Sequence, residues 1–413
     1  MRAERVTMAR VLLHILERHA DEAAFLWERR ERACRSPLFD PVSLTEVDRR
    51  LQANLEGLVL GGKHGFEKAE QALARGRDPE LFTALHVAAE IGDAMNTAKL
   101  IHLSHRDEAA QRAAVAALAW LTPQRRAETL SDLSADACPP ELHRLAIRTF
   151  GAVRRDPGPK LQAAARSPNE GLRAAAFRAA GQLGRRDLLN DLKNAVNSDE
   201  GTARSWAVYT AVLFGETALT GALWDLVKDN SSTSVAYCDL AARCDSNDET
   251  ASRLQALSGS PDTIFAALRG AAAHGDPAHI PWVLPLMNGP GDVARYALFV
   301  YTTITGAALD SPIAHRPGTV EPTEAVARRL AHDPLVDLPY PLLDQVSAHW
   351  EKVKGSFPSG QRFLGGKPMD STWLSTCQKS GNQAWRALAA VEICKTSGSG
   401  GIYPVHAPPW TVI

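Results

Sequence analysis

The sequence predicts an all-α fold, in which two-helix repeats stack into a right-handed α-solenoid between helical N- and C-terminal caps. Three observations lead to this prediction. A short Ala-rich phrase recurs along the middle of the chain, apolar residues within each recurrence follow helical spacing, and glycine or proline separates the helical stretches. A two-helix unit of this size cannot bury its own apolar stripes, whereas stacked units can.

The segment 167–187 shows the pattern of a single repeat. Its apolar residues recur at helical spacing on one face and are Leu172, Ala175, Ala176, Ala179 and Leu183. Asn169 is the predicted N-cap of this helix, and Gly181 and Gly184 are expected to mark its end. Asp187 is then expected to cap a second short helix, so that about 30 residues hold two helices.

The same unit recurs along the chain at intervals of 29 to 32 residues. The position that starts the Ala-rich core of each first helix is occupied by Phe82, Arg112, Arg144, Arg173, Arg204, Ala236, Ala266 and Arg295. Paired alanines follow Arg112 and Arg173, and a Gly-Asp pair closes a helix at Gly92 and Gly275. These features resemble HEAT-like repeats of the short, phycobilisome-lyase type over roughly residues 78–306. The resemblance implies a solenoid that serves as a binding surface.

Residues 1–77 are predicted to form an N-terminal helical cap that does not follow the repeat. An amphipathic pattern runs from Val6 to Arg35, and Ser43 is expected to cap a second helix that extends to Leu58. A third helix is expected at about 65–74. Such a cap would protect the apolar face of the first repeat, which otherwise has no neighbour on one side.

Residues 307–413 are predicted to be a Pro-rich connection followed by a small helical C-terminal region. Helices are expected at about 342–354, 371–379 and 383–395, and the Ser/Gly-rich tract 397–401 is expected to be a flexible link. The tryptophans of this region are Trp350, Trp373, Trp385 and Trp410. Two interpretations of them stay open: an aromatic binding platform, or the core of a small cap.

Three phrases in the flanks resemble a second family. The first runs from His19 to Trp27, and the second from Leu44 to Arg50, followed by residues 55–58. The third runs from Gly360 to Pro368 with the sequence GQRFLGGKP and is followed by Trp373 and Leu374. The family consists of proteins of similar length with HEAT-like repeats, encoded in bacterial type VI secretion gene clusters. The resemblance implies a protein partner, a type VI effector or a spike-associated component. It implies no enzymatic activity, so no catalytic residue is assigned from it.

The composition excludes several classes of protein. Apolar residues make up 45% of the chain, as in globular proteins, and 46 Lys and Arg nearly balance 47 Asp and Glu. We therefore expect no general attraction to nucleic acid. The six cysteines are widely spaced and typical of reduced thiols, and no signal peptide or membrane-spanning apolar run is evident. These features predict a cytoplasmic protein without membrane insertion.

No catalytic, cofactor or metal site is predicted. The segment 57–63 matches the phosphate-loop pattern GxxxxGK, but His64 stands where Ser or Thr should bind magnesium, and a helix precedes it where a strand is required. We interpret it as a glycine turn at the end of a helix. His102 and His105 have a spacing that can share a metal, but no further ligand accompanies them at a defined spacing.

Charge is distributed unevenly along the predicted solenoid. Between Glu141 and Asp187 there are ten basic and four acidic residues, and between Asp225 and Glu249 there are six acidic and two basic residues. These charges are either helix-terminal and loop charges or the lining of a groove that selects its partner electrostatically. The candidate partner-binding residues are Arg144, Arg148, Arg154, Arg155, Arg173, Arg178, Arg185, Arg186, Trp206 and Trp224.

These observations predict a non-enzymatic scaffold for protein interactions. In this interpretation the chain is a type VI secretion-associated adaptor, chaperone or assembly factor that binds a partner protein on the concave face of the solenoid. Two alternatives stay open. The first is an immunity protein that binds and blocks a cognate toxin. The second is a HEAT-like DNA-binding protein or alkylpurine DNA glycosylase, for which the basic stretch would line the groove.

Overall fold

A computed structural model describes residues 12–198, 200–228, 233–309, 311–315 and 333–408. These ranges contain 21 α-helices, and their only strands are four of two residues each, so the all-α prediction is confirmed. Each of the eight repeat positions identified in the sequence lies in a separate helix, with another helix between consecutive positions up to the last one. The two-helix period is therefore confirmed as well.

The N-terminal helices are α1 (Leu13–Ala33), α2 (Pro41–Leu60) and α3 (Gly62–Ala72). The first helices of the repeats are α4 (Asp78–Glu90), α6 (Glu108–Ala119), α8 (Pro140–Ala152), α10 (Glu170–Leu183), α12 (Gly201–Leu213), α14 (Ser234–Ala241), α16 (Ile264–His274) and α18 (Gly291–Thr305). The second helices are α5 (Ala94–Leu103), α7 (Pro123–Leu133), α9 (Pro159–Ala165), α11 (Leu189–Ser198), α13 (Thr220–Val227), α15 (Asn247–Ser258) and α17 (Ile280–Val283).

The C-terminal helices are α19 (Leu343–Val353), α20 (Ser371–Ser380) and α21 (Gln383–Ser397), close to the predicted ranges. Strand β1 (Ala314–His315) pairs antiparallel with β2 (Tyr340–Pro341), and β3 (Phe363–Leu364) pairs antiparallel with β4 (Lys367–Pro368). In the second pair Phe363 lies opposite Pro368 and Leu364 opposite Lys367, which makes a tight hairpin. Most of the Pro-rich connection lies outside the described residues.

The described chain divides into two compact units, and neither is continuous in sequence. Unit 1 contains residues 12–30, 45–153 and 407–408, and unit 2 contains residues 31–44 together with the described residues from 154 to 406. The division of the sequence at residues 77 and 306 stays a prediction.

In unit 1 the first helices α4, α6 and α8 pack on one another in sequence order, with α5 and α7 beside them. Trp27 of α1 stacks on Phe82 of α4 with ring centroids 5.0 Å apart. Arg30 is buried, pairs with Asp48 of α2 at 2.6 Å, and lies 5.0 Å from the centroid of the Trp120 ring. Because removal of either partner would leave a buried charge unpaired, this ion pair fixes α1 against α2.

In unit 2 the first helices α10, α12, α14, α16 and α18 also pack consecutively, and the second helices α11, α13, α15 and α17 each pack against the first helix that follows. Helix α18 is buried from Val293 to Ile304 except at Tyr296, which is partly buried, so neighbours cover most of its circumference. The short side chains of α10 allow close contact with α12, where Thr210 Oγ1 donates a hydrogen bond of 2.9 Å to Phe177 O. Stacking of first helices thus forms the core of both units.

Capping at α10 follows the sequence prediction except at one residue. The Asn169 side chain accepts a hydrogen bond of 2.9 Å from the Leu172 N–H, and Gly184 ends the helix in the left-handed conformation. Gly181 does not mark the helix end, because it lies inside α10. A Cβ at this position would be 3.1 Å from Thr210 Oγ1, so the glycine permits the close approach of α12.

The predicted N-cap of α2 is wrong by three residues. Asp40 occupies this position, and its Oδ1 accepts a hydrogen bond of 2.8 Å from the Ser43 N–H. Ser43 Oγ in turn accepts one of 2.9 Å from the Asp40 N–H. Pro41 follows Asp40 as the first helical residue, where its lack of an N–H has no cost, so the helix begins earlier than Ser43.

The C-terminal region of unit 2 packs on the carboxyl ends of repeat helices. We call residues 360–368, which include β3 and β4, the C-terminal clasp. Its Phe363 N–H donates to Gly275 O at 2.8 Å, and the N–H groups of Gly365 and Gly366 donate to carbonyls of Thr303 and Ile304 at 2.6 and 3.1 Å. These carbonyls lie at the ends of α16 and α18, where a helix supplies no donors of its own. The clasp therefore caps two repeat helices.

Tryptophans of the C-terminal region contribute to a hydrophobic core. Trp373 and Trp385 pack against a cluster that contains Leu364, Leu374 and Leu388 and continues into α16 through Ala273. Among the described tryptophans of this region, these two therefore fit the core interpretation, whereas Trp410 lies outside the described residues. The end of the tract 397–401 lies against the end of α10, because a Cβ at Gly184 would be only 2.3 Å from the carbonyl carbon of Gly400, although residues 397–400 are exposed.

Gly275 is the position at which the clasp tolerates a side chain least. It has φ +78°, and a Cβ there would be 2.4 Å from Phe363 O. We expect Gly275→Ala to lower the free energy of unfolding by roughly 2–3 kcal/mol, because left-handed strain and a backbone clash add together. Chemical denaturation would measure the loss.

The matched control is Gly398→Ala. Gly398 ends α21 with φ +64°, and a Cβ there would meet no heavy atom of the described residues within 4 Å, so only the strain applies. Its expected cost is about 1 kcal/mol. Equal losses in the free energy of unfolding for the two variants would show that the close approach of the Phe363 carbonyl to Gly275 adds nothing to the cost.

A directed chain of hydrogen bonds connects α17, α16 and α15 to the clasp. The Trp282 indole N–H can only donate, so His279 Nδ1 accepts it at 3.4 Å, and His279 Nε2–H donates to His274 Nδ1 at 2.7 Å. His274 Nε2–H then donates to Asn247 Oδ1 at 3.0 Å, and Asn247 Nδ2–H donates to Gly360 O at 3.0 Å. Both imidazoles are therefore held neutral, in one tautomer each.

Candidate protein-binding surfaces

The structure does not bring the ten candidate partner-binding residues together. Arg144 and Arg148 belong to unit 1, and the other eight belong to unit 2. Arg148 forms a bidentate ion pair with Glu108 at 2.6 and 2.9 Å and also donates to Gln111 at 2.7 Å. Arg144 is half-buried in α8. Arg148 is thus largely engaged between α8 and α6, which indicates a structural role.

The arginines at the ends of helices in unit 2 also bind within the chain. Arg185 pairs with Asp156 and Asp187, each at 2.8 Å, and these contacts raise its pKa. Arg173 donates to the Ser167 carbonyl at 2.8 Å, next to the N-terminus of its own helix. Arg186 donates to a backbone carbonyl, that of Phe214, at 2.7 Å. Arg155 is exposed.

Two of the candidate residues meet in an aromatic cluster on α10, α12 and α14. The guanidinium of Arg178 lies 4.9 Å from the centroid of the Trp206 ring, which contacts Tyr209 at 5.4 Å and Tyr237 at 6.2 Å. Arg154 lies nearby. Burial and the charge of Arg178 lower the pKa of Arg154 to about 10, and its Nε–H donates to Ile402 O at 2.7 Å. The C-terminal tail therefore lies beside this cluster.

Trp224 is a core residue. It is buried, its indole N–H donates to the Asp245 carboxylate at 2.6 Å, and Arg253 lies 5.7 Å from the centroid of its ring. Other residues of the acidic stretch are likewise engaged. Asp239 lies 3.5 Å from Arg269, and burial raises the pKa of its carboxyl although Arg269 and Arg243 oppose this. These contacts favour the interpretation of the stretch as structural charges.

An open groove lies between the second helices α5 and α7 of unit 1. Its volume is about 720 Å³, and its lining includes Ala94, Ala98, Ile101, Thr129, Leu133 and Leu142. Ala94 and Ala98 are exposed, whereas Ile101 and Leu133 are buried at its base. Sequence reasoning missed this groove, although the short side chains of α5 were a signal: they leave space where a longer side chain would fill it.

The rim of the groove carries more negative than positive charge. The carboxylates of Glu128, Asp132 and Glu141 line it, and the one arginine of the lining, Arg125, pairs with Glu128 at 3.1 Å. Hydrogen bonds from Gln124 and Arg125 lower the pKa of Glu128. In the described chain Asp132 and Glu141 make no ion pair within 4.0 Å, so two carboxylates remain available to a ligand in solution.

His102 and His105 form one wall of the same groove. Their ring centroids are 6.1 Å apart, and burial together with the nearby charge of Arg144 lowers the pKa of His105. His105 is therefore neutral at pH 7. Across the described ranges, no group of three or more His, Cys, Asp or Glu side chains is arranged to hold a metal ion. This wall thus adds aromatic surface to the groove.

The phosphate-loop-like segment 57–63 joins two helices, since α2 ends at Leu60 and α3 begins at Gly62. The element directly before it is the helix α2 and not a strand, as the interpretation of a helix-ending turn predicted. Among the described residues, no helix has both the length and the apolar character needed to cross a bilayer.

Comparison of the sequence with protein-family models and with curated proteins gives no match.

Proposed function

We propose that this chain is a non-enzymatic scaffold for protein interactions, and that it acts as a type VI secretion-associated adaptor, chaperone or assembly factor in the cytoplasm. The observation that carries this proposal is the groove of about 720 Å³ between α5 and α7. Stacked helical repeats present their second helices side by side, and an apolar groove between two of them is a typical site for a protein ligand. The resemblance of the flanks to type VI cluster proteins supplies the class of partner.

The test is affinity purification of the tagged chain from cells that carry the whole type VI gene cluster. We expect the chain to recover a secretion component, and Ala98→Trp to reduce the recovery at least about tenfold because the indole fills the groove. The matched control is Ala163→Trp, at an exposed alanine of the second helix α9. This variant should recover as much of the component as the unmodified chain.

Two outcomes would contradict the proposal. Recovery of no secretion component, at high coverage of the cluster's products, would argue against an adaptor role. Recovery of a toxin whose activity the chain blocks would instead support an immunity protein. If Ala98→Trp and Ala163→Trp recover equal amounts of a secretion component, the partner binds another surface of the chain.

A further inference from the structure

The faces of α5 and α7 that line the groove have the spacing of helix-packing seams. On α5 the lining residues are Ala94, Thr97, Ala98, Ile101 and His102, at positions i, i+3, i+4, i+7 and i+8. On α7 they are Arg125, Glu128, Thr129, Asp132 and Leu133, which recur with the same period but include three charged residues. In a soluble helix a stripe of small and apolar residues such as that of α5 faces a partner element. Here Ala94 and Ala98 are exposed, so the stripe of α5 is not covered within the described chain.

The same kind of seam is covered elsewhere in unit 1. Helix α6 carries Ala110, Ala113, Ala114 and Ala117 at this spacing, and all four are buried where α6 meets its neighbours. Short side chains of this type allow helix axes to approach to about 8–10 Å. The groove between α5 and α7 therefore offers a third helix the same type of contact that holds the repeats together.

The charges of the rim decide which helix fits. The α7 side and the start of α8 contribute three carboxylates against one arginine, and the α5 side contributes no Asp, Glu, Lys or Arg but the imidazoles of His102 and His105. A helix with Lys or Arg beside its apolar stripe would meet Asp132 and Glu141, whereas an acidic helix would be repelled. Both carboxylates are exposed, so they favour such a partner without the desolvation cost of a buried pair.

We infer that the groove between α5 and α7 binds a basic amphipathic α-helix of a partner protein, with the apolar stripe of that helix against Ala98 and Ile101 and its basic flank against Asp132 and Glu141. This inference rests on the proposed function and specifies its site and its partner. The 10 residues of α5 and 11 of α7 are long enough to contact about three turns of the bound helix.

The test uses the full chain and three synthetic peptides of about 16 residues with blocked ends, a length that supports helix formation. The first peptide has a Leu/Ala stripe flanked by Lys. The second has Glu at every Lys position, and the third has the composition of the first in an order without a stripe. Fluorescence anisotropy should show that the first peptide binds at least about tenfold more tightly than either of the others.

Two sets of variants locate the binding. Ala98→Trp should abolish binding of the first peptide, and Glu128→Gln/Asp132→Asn/Glu141→Gln should weaken it about tenfold, since each exposed pair contributes modestly. Ala163→Trp and Asp225→Asn are matched controls outside the groove, and both should bind as the unmodified chain does. Circular dichroism of each variant verifies that it is folded.

Several results would overturn the inference. Equal binding of the striped and unstriped basic peptides would mean that charge alone attracts them, and indifference to Ala98→Trp would place them elsewhere. Binding of an apolar dye that is sensitive to Ala98→Trp, without binding of any peptide, would indicate a small-molecule site. If the type VI partner is lost with Ala98→Trp but no peptide binds, the proposed function stands and only the helical, basic character of the partner is wrong.

Discussion

Replacing Glu392 by glutamine is expected to lower the free energy of unfolding by about 3–5 kcal/mol. Glu392 of α21 is buried, and its Oε2 lies 2.7 Å from Arg243 and 2.7 Å from Arg362, while its Oε1 accepts a second bond from Arg362 at 2.9 Å. Burial raises the pKa of this carboxyl, but the two guanidinium groups outweigh it and hold the pKa well below its ordinary value.

The size of the effect follows from Arg243, whose side chain is only 1% exposed. Glutamine keeps the shape of the side chain but deprives this guanidinium of its ion-pair partner in a buried site. Breaking a buried pair from one side is costly for this reason, even where the intact pair contributes little. Urea denaturation, followed by far-UV circular dichroism, would measure the loss.

The matched control is Asp225→Asn. Asp225 pairs with Lys228 at 3.0 Å on the same unit, but the two side chains are 75% and 67% exposed. An exposed pair of this kind contributes at most about 1 kcal/mol. If Glu392→Gln lowers the free energy of unfolding no more than Asp225→Asn does, the buried ion pairs of Glu392 with Arg243 and Arg362 do not stabilise the packing of α21.

Acidification from pH 7 to pH 5 is expected to destabilise unit 2 by roughly 2 kcal/mol for each of His274 and His279. Burial lowers the pKa of His274 to about 2, with further contributions from His279, Arg362 and Arg243 that outweigh the opposing charge of Glu392. Burial also lowers the pKa of His279 to about 4.

The sign follows from the proton uptake of the two states. In the unfolded chain both histidines titrate near pH 6.5, whereas in the folded chain they stay neutral below that pH. The unfolded state therefore binds more protons between about pH 6.5 and pH 4, so the stability present above pH 6.5 is lost as the pH falls through this window. A proton on either acceptor nitrogen would also place two donors face to face in the chain from Trp282 to Asn247.

The double variant His274→Asn/His279→Gln tests the assignment. At pH 7 it should be less stable than the unmodified chain. Between pH 7 and pH 5, its free energy of unfolding should decrease by roughly 4 kcal/mol less than that of the unmodified chain does. His14→Gln, at an exposed histidine of α1, should keep the full pH dependence. An unchanged pH dependence in the double variant would assign the acid sensitivity to other groups.

The repeats could be predicted from sequence because their determinants are local. Apolar periodicity within each unit placed all eight anchor positions in first helices, and Asn169 and Gly184 mark the ends of α10 through hydrogen bonds with near neighbours. The N-cap of α2 is an exception, because two nearby residues fit the capping pattern equally well. Asp40 and Ser43 are both good N-cap residues, and only the position of Pro41 selects Asp40.

The contacts that assemble each unit could not be predicted in this way. Phe363 binds the carbonyl of Gly275, 88 residues earlier, and no periodicity in the sequence indicates which helix ends the clasp will cap. The contacts of the basic stretch could not be predicted for the same reason. A count of charges along the chain does not show that Arg148 meets Glu108, 40 residues away, or that Arg185 meets Asp156.

The groove depends on the space between two helices, which the sequence of neither helix specifies. In the sequence alone, Ala94 and Ala98 are ordinary residues of a repeat, and the carboxylates of α7 are typical of a solvent-exposed helix face. Only their juxtaposition gives an apolar base beside an acidic rim. A sequence can therefore predict that such a chain binds proteins, but the location of the binding surface requires the arrangement of the second helices.

The guanidinium of Arg30 also donates a hydrogen bond of 3.2 Å to the carbonyl of Ala407, 377 residues later in the chain and in the same compact unit. During synthesis the first helices leave the ribosome long before this acceptor has been made. Unit 1 therefore cannot form this hydrogen bond until residue 407 has been synthesised, so at least one partly buried contact of α1 forms late. A premature stop codon shortly before Ala407 would remove this contact from α1, which lies far away in the sequence.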